Sequence, residues 1–77
     1  MNLPHQDSLA VLRQNFPGWY IDHDTVLGRW IAVRYRPLTI QEAKAGAKYF
    51  LQRGCPERLK VALADQTELA RRTRTVP

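Results

Sequence analysis

Residues 17–37, PGWYIDHDTVLGRWIAVRYRP, constrain the fold more than any other part of the chain. Two runs rich in aromatic and β-branched residues flank a turn segment around Asp24 to Gly28, which is the composition of a β-hairpin. Side chains in a strand change face at every residue. If Ile21 lies opposite Ile31, then Trp19, Ile21, Ile31, Val33 and Tyr35 share one face, apolar enough to be core. Tyr20, Asp22, Trp30, Ala32, Arg34 and Arg36 then share the other, where two large aromatics stand beside two arginines. A slip of one residue carries a whole strand's set across the sheet, and no Asn-Gly or Asp-Gly at the turn pins that register.

Around the hairpin the signals are helical. Asp7 or Ser8 can cap a first helix with Leu9, Leu12 and Phe16 on one side, ended by Pro17-Gly18. Thr39-Ile40-Gln41-Glu42 has the form of a capping box opening a second helix, whose apolar stripe is Ile40, Ala43, Ala47, Phe50 and Leu51. Lys44 and Lys48 flank that stripe one turn apart. Gly54 is expected to be the left-handed stop, and Pro56 the first position of a third helix weakly capped by Cys55. Leu59, Ala62, Leu63, Leu69 and Ala70 line the third helix. Gln66 sits among them and needs a hydrogen-bond partner if buried. Glu68 and Arg72 are spaced for an ion pair. The expectation is an α+β domain: a helix, a two-stranded antiparallel hairpin, and two C-terminal helices packed on the hairpin as an antiparallel pair about Gly54. One domain spans residues 1–77, with tails at 1–6 and 73–77.

A chain of 77 residues buries only about 60% of its unfolded surface, so dimerisation is a natural way to add core. Its single cysteine excludes an internal disulfide and fits a reducing, cytoplasmic setting. No signal-peptide pattern opens the sequence, and no apolar run is long enough to span a membrane. The net charge of +5 is uneven. Residues 1–28 carry a balance of −2, residues 29–60 one of +6, and the remainder +1. A basic middle segment attracts polyanions through a salt-sensitive field, though basic charge also serves solubility alone.

Catalytic chemistry finds little support. His23 lies between Asp22 and Asp24, but neighbours in a strand point to opposite faces, so a solvated turn histidine is the simpler reading. Cys55 near Arg53 and Arg58 has a setting that favours a thiolate, against a plain role as a small capping residue. One cysteine and two scattered histidines have no metal-ligand spacing, and there is no Gly-rich phosphate loop. No enzyme activity, cofactor or metal is expected.

The pattern PGWYI, GRWIAVR, PLT resembles small single-domain proteins of high-GC Gram-positive bacteria, over roughly residues 12–70. That resemblance implies a compact cytoplasmic domain. Gly28-Arg29-Trp30-Ile31-Ala32-Val33-Arg34 and Ile40-Gln41-Glu42-Ala43-Lys44-Ala45 resemble the sheet segment and the helix start of AP2-type DNA-binding domains. Those domains use a three-stranded sheet, and the gap from Arg36 to Thr39 leaves no room for its third strand. Two partner classes follow. One is a protein bound through the basic aromatic hairpin face, making the chain a small accessory or regulatory protein; a homodimer is a further possibility. The other is a nucleic acid held by Trp30, Arg34, Arg36 and the pair Lys44 and Lys48. Tyr20, Trp30, Arg34, Arg36, Lys44 and Lys48 are the candidate contact residues. The absence of a nucleic-acid motif such as a helix-turn-helix favours the protein partner.

Overall fold

The structure, a computed structural model, describes residues 4–74. The chain is α+β: α1 (Pro4–Asn15), β1 (Trp19–Asp24), β2 (Arg29–Arg34), α2 (Ile40–Lys44), β3 (Phe50–Arg53) and α3 (Pro56–Arg74). The three strands form one antiparallel sheet in the order β1-β2-β3. A third strand gives the hairpin the extra pairing that an isolated two-stranded sheet lacks in water. α1 packs on β1 and α3, and α3 packs beneath β2 and β3, so both long helices contribute to one core. No helix among the described residues is long and apolar enough to cross a membrane.

The hairpin is present, but its register differs by one residue from the expected pairing. Ile21 lies opposite Ala32 and Trp19 opposite Arg34. The β1 half of the inner face is as expected, with Trp19 and Ile21 buried. The β2 half is inverted: Trp30 and Ala32 are buried, while Ile31 and Val33 are turned outward and half-buried. The physical reason is size. Trp30 offers more apolar surface than any other residue of β2, and the observed register seats it with Trp19 and Ile21 under the helices. The turn that sets this register spans residues 25–28. Asp24 Oδ1 accepts from the Val26 and Leu27 N–H groups at 3.0 and 3.1 Å. Gly28 takes the left-handed φ of 68° that closes the turn.

The second helix is cut short. Its capping box forms as expected: Thr39 Oγ1 accepts from the Glu42 N–H at 3.1 Å and Glu42 Oε1 accepts from the Thr39 N–H at 2.9 Å. α2 then ends after five residues. Gly46, at φ 96°, makes the left-handed turn that had been assigned to Gly54, and Gly54 has no positive φ. The apolar stripe therefore never assembles. Ile40 is 76% exposed, while Phe50 and Leu51 belong to β3, with Leu51 opposite Ala32 in the core. The third strand thus lies beyond α2, so the short gap after Arg36 does not preclude it. Tyr49 and Phe50 are strong strand formers, and pairing with β2 outweighs the helical spacing.

α3 follows expectation more closely. Leu59, Ala62 and Leu63 are buried. Gln66 finds its partners: its Oε1 accepts from the Lys48 N–H at 2.8 Å and from Arg34 Nη2 at 3.1 Å. Glu68 pairs with Arg72 at 3.5 Å. α1 begins at Pro4, so Asp7 and Ser8 lie within the helix and do not cap it. Leu12 is buried, with Leu9 and Phe16 packed against the core. Helical backbone extends into both segments expected as tails, the rest of which lie outside the described residues.

Candidate docking surface

The helices cover one face of the sheet and leave the other open. Carried across the three strands, the register forms a row on the outer face: Tyr20 opposite Val33, and Val33 opposite Phe50. A second row is Asp22, Ile31 and Gln52. Tyr20 is 45% and Phe50 48% exposed. Tyr35, which continues the outward alternation of β2, is also exposed, and its N–H donates to the Gly18 carbonyl at 3.2 Å. Tyr20, Ile31, Val33, Tyr35 and Phe50 make this face apolar and aromatic, with Asp22 and Asp24 toward the turn. Tyr20 Oη donates to Asp22 Oδ2 at 3.1 Å, and that contact, together with the carboxylate's charge, raises the phenol's pKa.

Of the expected contact residues, only Tyr20 lies on this face. Trp30 is 2% exposed and belongs to the core. His23 stacks on it, with ring centroids 4.2 Å apart. Arg34 is on the helix side as well, where its guanidinium lies 4.6 Å over the Trp19 ring. Its Nε donates to the Lys48 carbonyl at 2.6 Å and its Nη2 to Gln66. Arg34 therefore ties β2, the segment before β3 and α3 together, and burial lowers its pKa from the ordinary arginine value. Arg36 lies beyond β2 in the neighbourhood of Glu42. Lys44 ends α2 and Lys48 precedes β3, both exposed. The six residues are not one surface. Phe50 is a face residue that the expected second helix concealed, and Ile31 and Val33 are those that the expected register concealed. The signal that could have exposed them is the size of Trp30, which makes it the better core residue.

The two edges of the sheet are unlike. In an antiparallel ladder, alternate residues direct their backbone groups away from the partner strand. On β1 these are Trp19, Ile21 and His23. The Trp19 N–H donates to the Phe16 carbonyl at 3.2 Å and the His23 N–H to Asp22 Oδ1 at 2.8 Å. The Ile21 carbonyl accepts from Arg13 Nε at 2.9 Å, and Arg13 also stands 3.6 Å from Asp22. On β3 the outward residues are Phe50 and Gln52. Arg53 Nη1 donates to the Gln52 carbonyl at 2.7 Å. The Phe50 N–H and carbonyl and the Gln52 N–H have no partner among the described residues, and no element lies beside that edge.

Beside β3, a groove of about 390 Å³ is lined by Arg53, Glu57, Arg58, Val61, Ala62 and Asp65. Val61 is 61% exposed there. Cys55 is half-buried at the start of α3. Among the described residues no three His, Cys, Asp or Glu side chains gather as a metal site would require. No protein-family model, curated protein or solved structure matches the chain.

Proposed function

We propose that this chain is a small, non-enzymatic accessory protein of the cytoplasm that binds a protein partner through the open outer face of its sheet. The observation that carries this reading is the open outer face, where Tyr20, Phe50 and Tyr35 are exposed around Ile31 and Val33. Exposed aromatic clusters on a rigid sheet have the composition of interface hot spots. The nucleic-acid reading has less support. Arg34 is held by Gln66, Lys48 and Trp19, and the outer face carries Asp22 and Asp24 where phosphates would need cations.

Replacing Phe50 by the photoreactive benzoyl-phenylalanine in cells tests the reading. Irradiation is expected to give protein adducts at this position and none when the same probe replaces Val11, which is exposed between α1 and the start of α3 on the helix side of the sheet. Adducts to nucleic acid alone, or equal protein adducts at both positions, would contradict it. Binding to the partner is expected to change little with salt, whereas nucleic-acid binding weakens steeply.

A further inference from the structure

We propose that the outer edge of β3 takes up an extended, acidic segment of the partner protein as a fourth strand, with its apolar side chains on the outer face beside Phe50 and its carboxylates toward the groove beside α3. This rests on the reading of the sheet as a protein-docking surface and adds how the partner is held.

Three observations converge on that edge. The first is the unmet backbone chemistry. The Phe50 N–H and carbonyl and the Gln52 N–H point outward without partners among the described residues, at the spacing of one ladder pair and the next. Such a pattern is satisfied by another extended chain and by little else. The second is what flanks it. A strand added at β3 alternates its side chains between the two sides of the sheet. Those on the outer side would continue the row Tyr20, Val33, Phe50. Those on the inner side would enter the groove past Val61, within reach of Arg53 and Arg58. The third is charge. Lys48 and Arg53 bracket the strand, and Arg58 adds a further cation at the groove. None of the three is in an ion pair with Glu57 or Asp65, the two acids of the groove. A second copy of β3 would gather Lys48 and Arg53 twice along one short ladder, which disfavours self-pairing. Carboxylates on the incoming segment would instead meet those cations.

The probe is a capped peptide, Val-Glu-Val-Glu-Val-Glu, titrated into the ¹⁵N-labelled full chain. Amide shifts are expected at Phe50, Gln52, Arg53 and Val61, with hydrogen exchange at Phe50 and Gln52 slowed in the complex. N-methylating the peptide's central amides should weaken binding about tenfold or more, since each lost backbone bond is worth roughly 1 kcal/mol and the methyl groups obstruct pairing. Replacing the glutamates by lysines should weaken it similarly. Gln52→Pro removes an outward N–H that the β2 ladder does not use, so it should abolish binding while the sheet survives; if that variant fails to fold, the N-methylated peptide decides. Equal binding of the N-methylated peptide overturns the fourth-strand proposal, and equal binding of the lysine peptide overturns its acidic character. Shifts confined to Tyr20, Ile31 and Val33 overturn strand addition while leaving the docking face intact. Protection of Phe50 and Gln52 that rises with protein concentration alone assigns the edge to a second copy and also overturns it. No shift at any residue at millimolar peptide removes the proposal, and the Phe50 photo-crosslink then decides separately whether the face binds protein.

Discussion

The two edges of this sheet differ in who closes them. β1 lies against α1, whose last turn supplies the guanidinium of Arg13, and the segment joining them supplies the carbonyl of Phe16. Asp22 adds a local acceptor for the next outward N–H. β3 has no such neighbour. The chain leaves it through Gly54 and Cys55 directly into α3, which runs beneath the sheet rather than beside it. The β1 edge is thus closed by groups of α1, of the turn after it and of Asp22, while α3 passes under the sheet and leaves the β3 edge open. Open edges are usually shortened and flanked by charge to prevent aggregation. β3 has both features, being four residues long with Arg53 at its end and Lys48 two residues before its start. Those devices guard against promiscuous pairing.

The largest expected effect concerns what both edges share. Trp30 is buried under the helices on the central strand, so Trp30→Ala should destabilise the fold by about 3–5 kcal/mol and expose both edges together. Thermal or urea unfolding reads this directly. A stable variant would mean that the core does not depend on the observed register.

The next test acts on β3 alone. Gln66 holds the start of that strand through the Lys48 N–H and Arg34. Gln66→Ala should cost about 1–2 kcal/mol and raise hydrogen exchange at Lys48 and Leu51 more than at Tyr20 and Asp22. Uniform loosening of all three strands would show that α3 does not anchor β3 separately.

Arg13→Ala should make the β1 edge resemble the β3 edge. The cost is small, about 0.5–1 kcal/mol, because the ion pair with Asp22 is half-exposed and only the bond to the Ile21 carbonyl is sheltered. The variant should aggregate more readily than the parent, as read by light scattering. Unchanged behaviour would mean Arg13 does not guard that edge.

The smallest effect lies in acid. Donation from the Thr39 backbone N–H holds the Glu42 carboxyl below its ordinary pKa. A depressed folded value contributes stability that is present above the unfolded pKa and lost as pH falls through the folded one. α2 should therefore lose its capping box only below the usual carboxylate range, seen as amide shifts at Glu42 and Ala43. Loss of the cap at or above the ordinary glutamate pKa would contradict the bond.

Much of the fold was legible where local chemistry decides it. The capping box at Thr39, the inner face of α3, the partner required by Gln66 and the Glu68–Arg72 pair all depend on contacts within a few residues or on helical spacing. Two features were not legible, for one reason. The hairpin register and the identity of β3 depend on tertiary burial, and the sequence around them fits two arrangements equally well. Ile31 and Val33 are as plausible in a core as Trp30 and Ala32 until the helices choose a face. Residues 40–51 carry helical spacing, yet Gly46 allows the chain to turn and Tyr49 to Leu51 pair with β2. The candidate site inherited both ambiguities, so of the expected contact residues only Tyr20 lies on the open face, and Ile31, Val33 and Phe50 of that face were not among them.

The asymmetry of the edges is most directly tested by residue-resolved amide hydrogen exchange in the isolated protein. The Phe50 and Gln52 amides are expected to exchange nearly as fast as in an unstructured peptide, while Leu51 between them is protected by its bond to β2 and the Trp19 and His23 amides of β1 are slowed by their local acceptors. Protection of Phe50 and Gln52 equal to that of Leu51, at every protein concentration, would show that the β3 edge is already closed and would contradict the account of how a partner is held.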